Sequence, residues 1–234
     1  MNLSEYRFKI ELHAHSAPVS PCADMTPEAL VDIYQQLGFD ALVLTNHFNE
    51  EVLAASPAGM SRVDYYLSDY DRARRRGAEV GLSVLLGLEI RFTENHNDYL
   101  VYGVTEGELP VAAGYFDKGL AAFYQGFKND RNLILQAHPF RSGMQLADPA
   151  CLDGIETFNM HPGHNSRVAV AARYAAAQGC LAVGGSDAHL PAHAGGAALR
   201  TKTLPATSDE LAALLKSRDY LFDIGGSLVL PYGI

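Results

Sequence analysis

At 234 residues, 48% of them apolar, with 18 basic and 27 acidic side chains for a formal charge of −9, the chain can bury a sizeable core and has a length that α/β barrels reach as one unit. Its densest basic cluster is Arg74, Arg75 and Arg76, too short to track a phosphate backbone, which argues against nucleic acid as a partner. The first residues lack the charged flank and apolar core of a leader, no apolar stretch reaches the roughly 18 residues of a membrane span, and three cysteines are an odd number that fits a reducing compartment. A cytoplasmic protein, without membrane association and forming one domain over 1–234, is therefore expected.

Taken in order, short β-like runs alternate with helical ones, and no repeat, linker or low-complexity segment interrupts them. A strand over 7–12 leads into His13-Ala14-His15. Thr26, Pro27 and Glu28 read as an N-cap, a first-turn proline and an early acid, opening a helix whose stripe is Ala29, Leu30, Ile33 and Leu37 and which Gly38 ends. The next strand, 39–45, runs to Asn46 and His47. Residues 62–78 form an amphipathic outer helix with its arginine run on a solvated face. The apolar run 82–88 leads straight into Glu89, a carboxylate that is costly to bury unpaired. Strand 99–104 follows His96 and Asp98, helix 117–127 precedes strand 132–137, and that strand ends at His138. Strand 154–159 ends at Asn159 with His161 and His164 close behind, helix 166–178 closes at Gly179, and strand 180–185 ends at Asp187 and His189. A capped helix over 208–215 and a last strand over 220–224 complete the chain.

This alternation gives about seven strands, expected to lie in parallel with crossover helices. Residues two apart on a strand share a face, so His13 and His15 aim two imidazoles at one spot, an arrangement that suits a metal but equally describes two exposed polar residues. What separates these readings is position. His13, His15, His47, Glu89, His138, Asp187 and His189 each follow an apolar run, and in an α/β barrel the C-terminal strand ends converge on one mouth. Convergence of so many ligand types favours a barrel over an open sheet. Core packing accounts better for Cys151 and Cys180, His193 reads as a solvated residue of a Gly/Ala-rich loop, and the segments 50–61 and 190–200 read as loops that shape the pocket.

The motifs His13-Ala14-His15-Ser16, Thr45-Asn46-His47, Gly87-Leu88-Glu89-Ile90, Ala137-His138-Pro139 and Gly185-Ser186-Asp187-Ala188-His189 together resemble, in order, the PHP (polymerase and histidinol phosphatase) family of metal-dependent phosphoesterases. The resemblance implies an α/β fold, a single-domain distorted (β/α)7 TIM-like barrel, carrying two or three divalent metal ions (Zn, Mn or Fe). It places His13, His15, Glu89 and Asp187 on a first metal, Glu89 bridging to a second with His138, and His47 and His189 on a third. Glu89, Asp187 and His189 would then be catalytic around a shared hydroxide acting on a small phosphate ester. Where the family pattern is loose, Cys22, Asp24, Asp98 and His96 are further ligand candidates, and Asn46 replaces the family's usual aspartate. Arg141 is placed to grip a phosphate, and Asn159, His161, His164 and Arg167 are candidates for the substrate wall. Two other functions remain: an amidohydrolase-type C–N or C–O hydrolase, and a non-catalytic metal-binding or regulatory module.

Overall fold

A computed structural model describes residues 2–231. In chain order the elements are β1 (Phe8–Ala14), α1 (Pro27–Gln36), β2 (Ala41–Leu44), β3 (His47–Phe48), α2 (Glu50–Ala54), α3 (Arg62–Val80), β4 (Ser83–Leu86), β5 (Leu88–Arg91), β6 (Asp98–Tyr102), α4 (Leu109–Ala113), α5 (Gly119–Phe127), β7 (Leu133–Gln136), β8 (Gly154–Asn159), α6 (Val168–Gln178), β9 (Leu181–Gly185), β10 (Ala197–Thr201), α7 (Ser208–Ser217), β11 (Tyr220–Ile224) and β12 (Ser227–Val229). Local chemistry sets the helix boundaries. Thr26 Oγ1 accepts from the Ala29 N–H at 3.2 Å, Pro27 opens the first turn, and α1 buries Leu30, Val31 and Tyr34. Ser61 caps α3, and Gly81 ends it in the left-handed region at φ +78°, where a side chain would be strained. The arginine-rich face of α3 is solvated as expected, and it also ties α3 to α1. Arg72 makes a bidentate pair with Glu28 at 2.8 and 2.7 Å, and Arg76 reaches Asp32 at 2.7 Å.

The strands form two mixed six-stranded sheets, ordered β12-β11-β10-β1-β2-β4 and β3-β5-β6-β7-β8-β9. The hydrogen bonds do not close these into one parallel ring. The sheets meet where β2 passes through Thr45 and Asn46 into β3 and where β4 passes through Gly87 into β5. At the other seam, β1 touches the chain after β9 through the parallel bridge Ala14–Ala188, with His15 N–H donating to the Ala188 carbonyl at 3.0 Å. Three expectations need correction. First, β6 runs antiparallel to β5 and β7, because the six residues between β5 and β6 are too few for a crossover helix. Second, the segment expected as a loop over 190–200 contains β10, which pairs antiparallel with β1 and β11; its small side chains, Ala197 and Ala198, hid the strand pattern. Third, α2 lies inside the 50–61 segment, capped by the Asn49 side chain.

The core fills the space between strands and helices. Ile10 and Leu12 of β1 join Val43, Leu135, Val183 and Leu199 in one cluster, while Glu11 and His13 occupy the opposite face of the same strand, as the two-residue period requires. Cys180 packs against this cluster and Cys151 against a second one around Phe48, Ile90 and Phe123. No helix among the described residues is long and apolar enough to cross a membrane.

Candidate metal centre

The floor of one cavity is built from strand ends. His13 and His15 leave β1 on one face. Glu89 comes from β5, His138 follows β7, and Asp187 and His189 follow β9. His13 Nε2 lies 3.3 Å from Glu89 Oε1 and 3.5 Å from Asp187 Oδ1; His15 Nε2 lies 3.3 Å from Asp187 Oδ1 and 3.5 Å from Glu89 Oε2. Five potential ligand atoms from four residues thus crowd together. Glu89 extends the group on its other side, where Oε1 is 3.1 Å from His138 Nε2 and Oε2 is 2.7 Å from His47 Nδ1. Asp98 Oδ2 stands 3.8 Å from His138 Nε2. Two of these residues hold backbone that L side chains rarely adopt, His138 at φ +31° and Asp187 at φ +50°, a strain that persists where surrounding contacts over-determine it.

Burial sharpens the electrostatics. His13, His15, Glu89 and Asp187 are at most 1% exposed, so solvent screens none of them. Burial would raise the Glu89 pKa, but His47 and His13 outweigh it and hold the carboxyl well below its ordinary range. Asp187 is likewise held down against burial by His13 and His15. Burial opposes a charge on His13, yet Glu156, Asp187 and Glu89 raise its pKa well above the usual value, whereas burial, His189 and His47 together push His15 well below it. Ionised carboxylates and imidazoles drawn toward protonation therefore crowd one buried place. Nε2 of His13 and of His15, Nδ1 of His47 and Oε2 of Glu89 are buried with no hydrogen-bond partner. Buried nitrogen and carboxylate donors that converge without hydrogen-bond partners are what a divalent cation satisfies, releasing the imidazole protons as it binds, so this donor set fits one.

Residues behind the ligands fix them, and these the sequence reading missed. Glu156 Oε1 takes His13 Nδ1 at 2.9 Å and its Oε2 accepts from the His138 N–H at 3.0 Å. Glu11 accepts from the N–H groups of Leu12, His13 and Ser186 and from the hydroxyls of Tyr34 and Ser186. Asp69 of α3 accepts from Ser16, Val19 and Asn46, so a carboxylate sits beside Asn46 even though residue 46 is neutral. Ser20 accepts from the His47 N–H at 2.9 Å. Both glutamates interrupt apolar strand runs, the cue already applied to Glu89, and Asp69 falls on the buried face of α3 with Tyr66 and Ala73.

A family model for the PHP domain matches residues 11–226. The chain belongs to the PHP domain family. Among solved structures, this PHP chain resembles a two-domain protein from Bacteroides vulgatus containing a predicted PHP-like metal-dependent phosphoesterase (TM-score 0.69, 17% identity, covering 92% of this chain and 64% of that one). It also resembles PsfC from Pseudomonas syringae (0.59, 16%, 89% and 88%) and an amidohydrolase from Chromobacterium violaceum with bound sulfate (0.50, 15%, 78% and 88%). At these identities the likeness is one of fold. The chain spans 64% of the length of the Bacteroides protein. No curated protein sequence matches.

Above the floor, a cavity of about 610 Å³ is lined by Cys22, His47, Arg91, Asp98, Arg141, His161, His164, His189 and His193 among others. Arg141 and His164 are 3.4 Å apart, and the His161 and His164 rings stack at 3.9 Å. His193, expected in solvent, stands 4.4 Å from the His161 ring in this wall, because the short turn after Leu190 folds back over the site. Four candidates are placed elsewhere. Asp24 is exposed, with its main-chain N–H on the His189 carbonyl. His96 is exposed in the β5–β6 turn. Arg167 is exposed, and its guanidinium is taken up by the Phe140 carbonyl at 2.6 Å. Asn159 is buried behind Asp187, donating to Asp187 Oδ2 and Glu156 Oε2 at 3.0 Å each, which makes it a support for the ligands and keeps it out of the wall.

The packing leaves no slack at Gly185. A Cβ there would run into the His13 Cβ and stand 3.1 Å from Glu156 Oε1. Gly185→Ala is therefore expected to displace His13 and weaken metal binding by roughly 10- to 100-fold, the usual cost of disturbing a ligand's support. Metal affinity measured by competition with a chromophoric chelator checks this; wild-type affinity would show that His13 need not stay where it is.

Proposed function

We propose that this PHP domain is a metal-dependent phosphoesterase hydrolysing a small phosphorylated metabolite, with the two sheets forming a distorted barrel around its site. The observation that carries the reading is the pairing of an electron-rich, buried carboxylate–imidazole floor with a cationic wall at Arg141, across a cavity sized for a small molecule. His13, His15, Glu89 and Asp187 would hold one divalent ion, and Glu89, His138 and Asp98 a second. Such ions supply Lewis-acid charge stabilisation and activation of water. The chain's own residues do the rest. Glu89 joins the two positions, and Asp187 carries negative charge toward the reacting centre. His189 is oriented by its Nδ1–H bond to the Asp187 carbonyl at 2.9 Å. His161 accepts the Gly163 N–H on Nδ1 at 3.0 Å, and burial pushes its pKa down to about 4; the ring stays neutral with its proton on Nε2, a donor for a phosphoryl oxygen. The acidic chain and the small cavity favour a metabolite over nucleic acid.

The test is turnover on a panel of phosphomonoesters and diesters with zinc, manganese or iron restored to metal-stripped protein. Inactivity with all three would overturn the proposal, and activity on amides alone would replace it with a C–N hydrolase. Within the active pair, Arg141→Ala is expected to raise KM and the inhibition constant for inorganic phosphate by roughly 10- to 100-fold, from the loss of a charge-assisted hydrogen bond of about 1.5–3 kcal/mol. Unchanged values for both would remove Arg141 from the substrate wall.

A further inference from the structure

We propose that the substrate is the phosphate ester of an apolar alcohol, with its alkyl or aryl group packed against one side of the cavity and its phosphoryl group on the floor. The inference rests on the phosphoesterase reading above and adds to it the chemistry of the leaving group.

The cavity has two unlike sides. Arg141, His161, His164 and His193, from the chain after β7, β8 and β9, furnish one of them with a guanidinium and three imidazoles. The other is made by Pro18, Val19 and Pro21 from the loop after β1, by Val52 of α2 and Ala55 at its end, and by Tyr65 of α3. A molecule that complements both sides is anionic and hydrogen-bonding at one end and apolar at the other.

The apolar side is continuous with the core. Val19, Val52 and Tyr65 are at most 9% exposed and belong to the cluster around Phe48 and Ile90, so packing behind them holds them in place. The polar atoms along it are already engaged. The Tyr65 hydroxyl donates to the Pro18 carbonyl at 3.2 Å, and Asn49 Oδ1 accepts from the Val52 N–H at 2.9 Å. Arg91 is held in a bidentate pair with Asp98 at 2.7 and 2.8 Å. Glu51 is exposed to solvent.

A sugar or polyol set against these side chains would give up water from its hydroxyls with few groups to replace it, whereas each methylene of an alkyl chain gains by leaving water. The floor and Arg141 hold the phosphoryl group in either case, so discrimination lies with the apolar side. In the reaction, water adds to phosphorus and the bond from phosphorus to the ester oxygen breaks with its electron pair going to that oxygen. The oxygen takes up a proton, and the products are inorganic phosphate and a neutral apolar alcohol.

The test uses metal-loaded protein and the series methyl, ethyl, propyl and butyl phosphate, whose alcohols leave almost equally well, so that kcat/KM follows burial of the chain. A rise of about threefold per methylene is expected, roughly 30-fold across the series, and glycerol 1-phosphate should be about 10- to 100-fold poorer than propyl phosphate. The matching alkylphosphonates, which are not hydrolysed, should bind in the same order by calorimetry. Val52→Thr, close to isosteric, and Ala55→Asp, at an exposed position, should each flatten both trends with metal content unchanged. A flat series, glycerol 1-phosphate turned over as well as propyl phosphate, or unaltered trends in both variants at wild-type thermal stability would overturn the apolar assignment and leave the phosphoesterase reading standing. No turnover of any ester together with no phosphonate binding would overturn both.

Discussion

Replacing Glu89 with glutamine is expected to lower kcat by about three orders of magnitude or more and to strip the protein of metal, with the fold retained. The side chain keeps its shape but loses its charge at the point where four imidazoles meet: His13 at 3.3 Å, His15 at 3.5 Å, His47 at 2.7 Å and His138 at 3.1 Å. A neutral amide also turns one lone-pair donor into an N–H group aimed at ring nitrogens that need a cation. Lewis-acid stabilisation is worth several kcal/mol of transition-state charge, and about 4 kcal/mol is a factor of about a thousand in rate. Metal content by elemental analysis and kcat on the best substrate check the prediction together. A Glu89→Gln protein that kept its metal and came within about tenfold of wild-type turnover would show that the carboxylate does not join the two positions.

The second large effect is on stability, and it falls on a residue outside the ligand set. Glu11→Ala should destabilise the fold by about 3–5 kcal/mol, the range for uncovering a buried, fully bonded charge. Glu11 is wholly buried and collects five donors, three N–H groups and two hydroxyls. Truncation removes this acceptor from all five, the Ser186 hydroxyl keeping the Ala197 carbonyl at 3.3 Å, and each unsatisfied buried donor costs about 1–3 kcal/mol before relaxation. Burial also raises the Glu11 pKa against the opposing bonds from Ser186, His13 and Tyr34, so desolvation of the charge already costs the native state something, and the loss falls short of the simple sum. At about 2–4 °C per kcal/mol for a chain of this size, the thermal midpoint should drop by roughly 10 °C. A calorimetric midpoint within about 2 °C of wild type would mean that water replaces the carboxylate at no cost.

Which parts of this could be read in advance follows from how local their causes are. The α1 boundaries were legible because Thr26, Pro27 and Gly38 act within one turn. The candidate ligands were legible because a histidine or carboxylate after an apolar run is conspicuous, and Glu89, His138 and Asp187 lie together in the cavity floor. Sheet direction was less so. The antiparallel course of β6 depends on a connection length that was there to be counted, and β10 depends on pairing with β1 across nearly the whole chain. Glu156 and Glu11 escaped because they sit within strands, where a carboxylate reads as solvent-facing until its partners are known. The side chains around the substrate depended most on tertiary placement. Arg167 and Asn159 follow the same strand as His161 and His164, but the left-handed turn at Arg167, φ +46°, points its guanidinium to Phe140 while Asn159 is drawn beneath Asp187.

The single bridge between Ala14 and Ala188 has a bearing on how the molecule is made. It sets the first two imidazoles beside the carboxylate that faces them, yet the paired residues are separated by most of the sequence. Closing so long a loop costs entropy that is repaid only when the contact forms, and distant pairings of this kind slow folding. During synthesis, the nascent chain exposes His13 and His15 well before Asp187 exists to oppose them. The complete donor cluster is therefore a property of the folded chain, assembled when residues 14 and 188 meet, and a chain stopped before Gly185 would carry most of the candidate donors with no cage to put them in.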